Sequence, residues 1–406
     1  MLRYGGKSAT TFLDTVITAA GKGAKKSGLK GGADGARFTG LYFRHVPPQD
    51  IAELSPAALA ACALGHWRFA AARKPSQSKV RAFTPNAKRD GWNATQTVIE
   101  AINDDMPFLV DSIIAELNRL GLTAHLVIHP VIAVRRDRRG QLLGLAAAKP
   151  EDAVNESFIQ CWITRQPDDR LKEIERALDA VLAEVRAAVE DWRPMREKLE
   201  TVLAELRTPP TNIVPEDCDE ARDFLRWVHS DHFTFLGYRD YDIAIGSRES
   251  DVTVRPKAGL GVLRKVGRRV FNGLRDIAKQ PKEVRDFVRR PELMMVTKSN
   301  LRSVIHRPVV MDAIGVKRFN RAGKVIGQRV FVGLFTSSAY SRSPRDIPIL
   351  RRKIQQVIKR AGFPPSGHAG KALSNILETY PRDELLQISE SDLYRASMSI
   401  SHLQDR

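Results

Sequence analysis

Two adjacent carboxylates, Asp104 and Asp105, stand between an apolar run and a helical pattern. Paired acids at such a junction can trade a proton in general acid–base chemistry. The same position suits helix capping, where short acids accept free N–H groups and meet the positive end of the dipole. Capping is the preferred reading. Histidines come in two close pairs. His125 and His129 share one face of a strand, and four strand residues span about 13 Å, too far to chelate one ion directly. His229 and His232 lie in HSDH at a helix end with Asp231 between them. A turn role outweighs a metal site there. Cys62, Cys161 and Cys218 lie far apart without metal-ligand spacing. They argue against a disulfide framework and a zinc site and fit a reducing compartment. Gly259-Leu260-Gly261 is the nearest approach to a dinucleotide-binding turn, but Arg264 replaces its third glycine. There is no P-loop and no Ser or Cys nucleophile elbow. No catalytic residue, cofactor-binding residue or metal ligand is assigned.

The elements around the acid pair are well marked. Val98, Ile99 and Ile102 give a short strand, and Pro107 suits a first helical turn. Leu109, Ile113, Leu117 and Leu120 recur at helical spacing, and Gly121 supplies the stop. His125 to Val134 is a β-branched and apolar run with Pro130 inside it, which implies an edge or a bend. The result is a β-α-β start with a turn at the strand-to-helix junction.

The chain has 406 residues, 43% of them hydrophobic, which suggests about two or three domains. No run of about 18 apolar residues predicts a transmembrane helix. A net charge of +18 and a pI near 10 license only nonspecific attraction to polyanions. No specific nucleic-acid motif accompanies them, and a cytoplasmic location is expected. The Gly/Lys-rich start is read as a flexible leader, with an organelle-targeting peptide as the alternative.

Ser55-Pro56 opens an Ala-rich helix, and ESFIQCWI (156–163) is a third strand. From Asp168, apolar residues at steps of three and four run to Trp192 and continue across Pro194 through Met195, Leu199, Val202 and Leu206. Proline there favours two abutting helices, and packing on a sheet ahead of a dimer seam. Val262, Val266, Val270 and Leu274 also fall at helical spacing, in a basic block. Strands are expected in HFTFLGYRDYDI, MMVTKSN, SVIHRPVVM, DAIGVKRFN and VIGQRVFVGLFT, with a hairpin at Asn320–Gly323. Phe233, Phe235 and Tyr238 are read as core. The last residues, SISHLQDR, form a polar helical pattern with no closing signal and suggest a chain that continues.

Several long strings carry a family resemblance: AINDDMPFLVDSIIAELNRLGLTAHLVIHPV, SDHFTFLGYRDYDI, RPVVMDAIGVKRFNRAGKVIG, SSAYSRSPRDIPILRRKI and GKALSNILETYPRDELLQIS. Residues 38–406 resemble the N-terminal ACT/PAS-type region of the large bacterial NAD-specific glutamate dehydrogenases. The resemblance implies an α+β chain with an ACT-like (ferredoxin-like βαββαβ) domain, then a PAS-like antiparallel sheet domain with helices. The expected divisions are a flexible basic leader at 1–36, a helical and extended segment at 37–94 and the ACT-like domain at 95–192. The PAS-like domain takes 193–385, and the start of a following module takes 386–406. The family oxidises L-glutamate with NAD, so NAD is the cofactor of the parent enzyme, with none held in this chain and its catalytic domain outside it. A homo-oligomer joined through helical and ACT-like surfaces is expected. The alternative is a stand-alone amino-acid-sensing protein. ACT domains bind amino acids at the first strand-to-helix turn, which places Asn103, Asp104, Asp105 and Phe108 at the candidate effector site. Phe108 stands where a glycine would admit the ligand, so the turn is read as an assembly surface ahead of an effector site.

Overall fold

The computed structural model describes residues 9–26, 32–146, 153–245, 252–265, 267–268, 270 and 292–404. They form two compact units, one of Met1–Arg186 with Val304–Pro308, the other of Ala187–Ser303 with Val309–Arg406.

The first unit opens with helices α1 (Ala9–Lys26), α2 (Gly32–Tyr42) and α3 (Pro56–Phe69). The expected flexible leader is therefore helical over its described part. Val16, Ala20 and Ala24 repeat every four residues and are buried. That stripe of mostly small residues was hidden by a Gly/Lys-rich composition. The Ser55-Pro56 signal works as read: Ser55 Oγ accepts the Ala58 N–H at 3.2 Å, with proline in the first turn. Then come β1 (Lys79–Phe83), α4 (Ala87–Asp90), β2 (Thr97–Asp104), α5 (Leu109–Arg119), β3 (Ala124–Ile128), β4 (Val131–Arg136), β5 (Leu142–Leu145), β6 (Ala153–Ile163) and α6 (Asp168–Glu190).

The sheet order is β1-β2-β6-β4-β5, with β3 also on β6 and every pair antiparallel. β3 and β4 share one edge of β6, broken at Pro130, whose carbonyl still accepts the Phe158 N–H at 3.0 Å. Thus β2-α5-β3/β4-β6-α6 supplies the first five elements of a βαββαβ chain. The sixth differs. No strand follows α6 in this unit among the described residues, and β1 fills the edge of β2, pairing Lys79 with Ile102 and Phe83 with Val98. On one sheet face, Ile102, Ile132, Val134 and Phe158 form a core with Phe38, Tyr42 and Trp67. On the other, Ile99, Cys161 and Ile163 are buried, as are Ile113 and Leu117 of α5 and Ile174 and Leu178 of α6.

The second unit holds α7 (Trp192–Glu205), α8 (Pro215–Trp227), β7 (Phe233–Ile245), β8 (Val252–Gly261), β9 (Met294–Arg302), β10 (Val310–Phe319) and β11 (Val325–Phe335). α6 and α7 abut at Asp191, with Pro194 in the first turn of α7. Met195, Leu199, Val202 and Leu206 enter the core of this unit. The antiparallel sheet runs β8-β7-β11-β10-β9. Counted along the unit this is 2-1-5-4-3, compatible with a PAS-like reading. The Asn320 hairpin forms: Asn320 Oδ1 accepts the N–H groups of Ala322 and Lys324 at 3.0 and 2.9 Å, and Gly323 takes φ 74°. Phe233, Phe235 and Tyr238 are core residues beside Phe331 and Phe335. Residues 252–261 are a strand, and Val262 and Val270, the described members of the helical spacing, stand in turn and bend rather than in a helix. Val266 and Leu274 lie outside the described residues. Ser303–Val309, expected as strand, is a connection, because pairing with β9 resumes only at Val310.

The unit closes with α9 (Ser337–Ser341), α10 (Leu350–Ala361), α11 (His368–Thr379), α12 (Arg382–Gln387) and α13 (Glu390–Gln404). Leu385 and Leu393 are fully buried in the same core. Residues 386–404 therefore pack with this unit rather than starting a separate one. Lys353 on α10 reaches the end of α12, donating to the carbonyls of Leu385 and Ile388 at 2.6 and 2.7 Å. Burial lowers its pKa to about 8, against a smaller pull from Glu390. Lys353→Met leaves both carbonyls unsatisfied and is expected to cost about 1–3 kcal/mol. Hydrogen exchange should rise in α12 and α13 of the variant; unchanged protection there refutes the capping role.

Candidate functional site

The candidate turn is built by the end of β2 and the start of α5. Asp104 is still in the strand, paired in register with Glu156. Residues 105–107 make the turn, and Phe108 is the N-cap of α5, at φ 72° and without a side-chain cap bond. Asp104 and Asp105 are therefore not caps, and Pro107 precedes the first helical turn. A non-glycine residue in the left-handed region is uncommon and carries strain. Here the ring of Phe108 also lies 5.5 Å from that of His306, which belongs to the same compact unit.

Each polar residue of the turn is already engaged. Asn103 Oδ1 accepts from Arg186 Nη2 at 2.5 Å, and its amide donates to the Asp104 carbonyl at 3.0 Å. Asp104 pairs with Arg73 and, at 2.7 Å, with Arg186. Burial raises the Asp104 pKa, but the two guanidinium groups outweigh it and hold the carboxyl below its usual range. Asp105 Oδ1 accepts from Ser157 Oγ at 2.7 Å, and its N–H donates to the Asn155 carbonyl at 2.9 Å. Ser157 Oγ in turn meets His129 Nε2 at 3.0 Å.

Behind Asp104 lies a charge network with no sequence signature. Glu156 has no accessible side-chain surface and accepts from two arginines. Arg73 approaches at 3.1 and 2.7 Å, and Arg136 at 2.5 and 2.8 Å. Arg73 also donates to the Gln77 carbonyl, and Arg136 to those of Ala70 and Gly140. Three arginines and two acids thus lock the α3–β1 loop, β2, β4, β6 and α6 at one end of the sheet. The one readable hint was a glutamate heading an apolar strand. A second buried acid, Glu100 in mid-sheet, accepts from Arg81 Nε at 2.7 Å and Gln160 Nε2 at 3.0 Å. Burial drives its pKa up to about 7, against the pull of Arg81 and Gln160.

The histidine pairs do not converge. His125 bonds Thr164, while His129 bonds Ser157. His229 meets Glu200 and Arg196, and His232 stacks on Trp227 and bonds its carbonyl. Among the described residues no group of three His, Cys, Asp or Glu side chains could hold a metal ion.

Two family models match this chain. That for "Glutamate dehydrogenase, ACT1 domain" covers residues 38–178, and that for "Glutamate dehydrogenase, helical motif 1" covers 347–406. The NAD-specific glutamate dehydrogenase of Halomonas elongata is 39% identical over 374 residues, 91% of this chain and 23% of that protein. The protein of the same name from Pseudomonas aeruginosa is 32% identical over 376 residues, again 91% and 23%. That of Mycobacterium tuberculosis is 27% identical over 354 residues, 86% and 20%. The chain belongs to the glutamate dehydrogenase family. It spans about a quarter of the length of the relatives it matches. The glutamate dehydrogenase ACT1 match takes in the end of α2 from Phe38, then α3 and β1 as well as the candidate turn. The structure makes the same grouping, since α2 and α3 cover one sheet face and β1 completes the sheet. The helical-motif match covers α10 to α13 and includes Lys353.

Proposed function

We propose that this chain is the N-terminal regulatory and assembly region of an NAD-specific glutamate dehydrogenase. The parent reaction is oxidative deamination of L-glutamate with NAD and water to 2-oxoglutarate, ammonium and NADH, performed by a domain outside these residues. The observation that carries the reading is the ACT1 and helical-motif match, in a chain spanning about a quarter of relatives named for that activity. The engaged side chains of the turn support it: Asn103, Asp104 and Asp105 are held by Arg186, Arg73 and Ser157. A turn so occupied, with Phe108 at its tip, serves better to present a rigid surface than to close on an effector. The proposed partner is a second copy of the chain, met through ACT-like and helical surfaces. The proposed location is the cytoplasm; no helix among the described residues is long and apolar enough to cross a membrane.

The decisive experiment follows NADH absorbance with L-glutamate and NAD. The 406-residue chain alone is expected to give no turnover, and the longer protein to give it. Turnover by the 406 residues alone refutes the assignment of catalysis elsewhere. Calorimetry with L-amino acids is expected to show no binding that disappears in Asp105→Asn. Tight binding lost in that variant makes the turn an effector site.

A further inference from the structure

In the first unit a cleft of about 640 Å3 opens between α3 and the edge strand β1. It shares no residue with the Asn103–Phe108 turn. Its volume lies within the usual range of small-molecule sites. Gly65, Arg68 and Phe69 line it from α3, and Lys79, Arg81 and Phe83 from β1. Arg81 is held flat, its guanidinium carbon 4.5 Å from the ring centroids of both Phe69 and Phe83. It donates Nε to Glu100 and Nη2 to the Gly65 carbonyl at 3.2 Å, and Nη1 has no hydrogen-bond partner among the described residues. Lys79 Nζ donates to the carbonyls of Phe69 and Ala72, which leaves its third proton.

The charges do not balance. The lining has four cations, Arg68, Lys79, Arg81 and Arg89, against three acids, Asp90, Glu100 and Glu175. Each acid is taken: Asp90 by Arg89, Glu100 by Arg81, and Glu175 by Lys172 and the Ala82 N–H. Arg68 is exposed, and its side chain has no hydrogen-bond or ion-pair partner among the described residues. A planar guanidinium fixed between rings is pre-organised for an oxyanion, because little rotamer freedom is left to lose. At Gly65 a Cβ would meet nothing nearer than Arg81 Nη2 at 3.9 Å. The missing side chain is space inside the cleft rather than a packing demand.

We propose that this cleft binds a small organic anion, its carboxylate or phosphate held by Arg68, Lys79 and the outer nitrogen of Arg81. Phe69 and Phe83 flank the carbon frame of the ligand. This site stands or falls independently of where catalysis resides.

The test is calorimetry on the 406-residue chain with four probes: L-glutamate, 2-oxoglutarate, ADP and inorganic phosphate. At least one is expected to bind saturably, and the pattern among them tells carboxylate from phosphate. Arg68→Ala should weaken that binding by roughly tenfold or more, as loss of a charge-assisted contact does. Gly65→Leu should abolish it by filling the cleft. Both are expected to melt like the parent, since Arg68 is exposed and glycine is a poor mid-helix residue. Asp105→Asn should leave it unchanged, which separates this site from the turn. Failure of every probe to saturate overturns the proposal. So does an affinity unaltered in either cleft variant.

Discussion

Glu156→Gln is expected to cost the first unit about 3–5 kcal/mol, the usual penalty for breaking a buried ion pair by removing one partner. The glutamate side chain is fully buried, and Arg73 and Arg136 are 2% and 8% exposed. A neutral amide leaves those guanidinium groups facing each other with only Asp104 nearby. The loss is large because the arginines cannot turn to water; their other donors are bound to the carbonyls of Gln77, Ala70 and Gly140. Asp104→Asn should cost less, since that carboxylate is 27% exposed and solvent screens it. Urea denaturation followed by hydrogen exchange in β6 measures both. A Glu156→Gln loss below about 1 kcal/mol, the range of an exposed pair, refutes the lock.

The part of the first unit's stability that depends on Glu100 is expected to fall as pH rises from 5 to 8. Burial lifts its pKa from the ordinary 4.5 to about 7, so within that window the folded state holds a proton that the unfolded chain releases. Raising the pH therefore favours unfolding, by about 3 kcal/mol once both states are ionised. Asp104 acts with the opposite sign and at lower pH, because its arginines hold its carboxyl down. His66 and His129, whose pKa values burial lowers, act with the opposite sign inside the window, since the unfolded chain takes up protons there that the folded imidazoles do not. Asp312 of the second unit, raised by burial, acts in the same direction as Glu100. The variant rather than the parent curve therefore assigns the slope. Relative to Glu100→Gln, the parent should lose most of that amount between pH 5 and 8, read from the urea midpoints of both proteins. A slope equal to the parent's would remove Glu100 from the account.

Local signals survived folding and long-range ones were invisible. The α5 stripe, the Ser55-Pro56 start, the Pro194 break and the Asn320 hairpin each depend on neighbours within a few residues, and each forms. The acid pair was misread because capping assumes the strand has ended. Strand pairing to Glu156 carries β2 through Asp104, and Arg73, 31 residues away, claims the carboxylate. Nothing in the spacing of Arg73, Arg136 and Arg186 announces that three elements bring them to one place. The candidate residues Asn103, Asp104, Asp105 and Phe108 do gather at one turn, but their partners decide what the turn can do.

The origin of β1 sets where this unit can be cut. A fragment begun at residue 95 keeps the five-element ACT-like run yet strips the strand that covers β2. That leaves a row of bare N–H and C=O groups beside buried Val98 and Ile102, the template on which misfolded copies stack into aggregates.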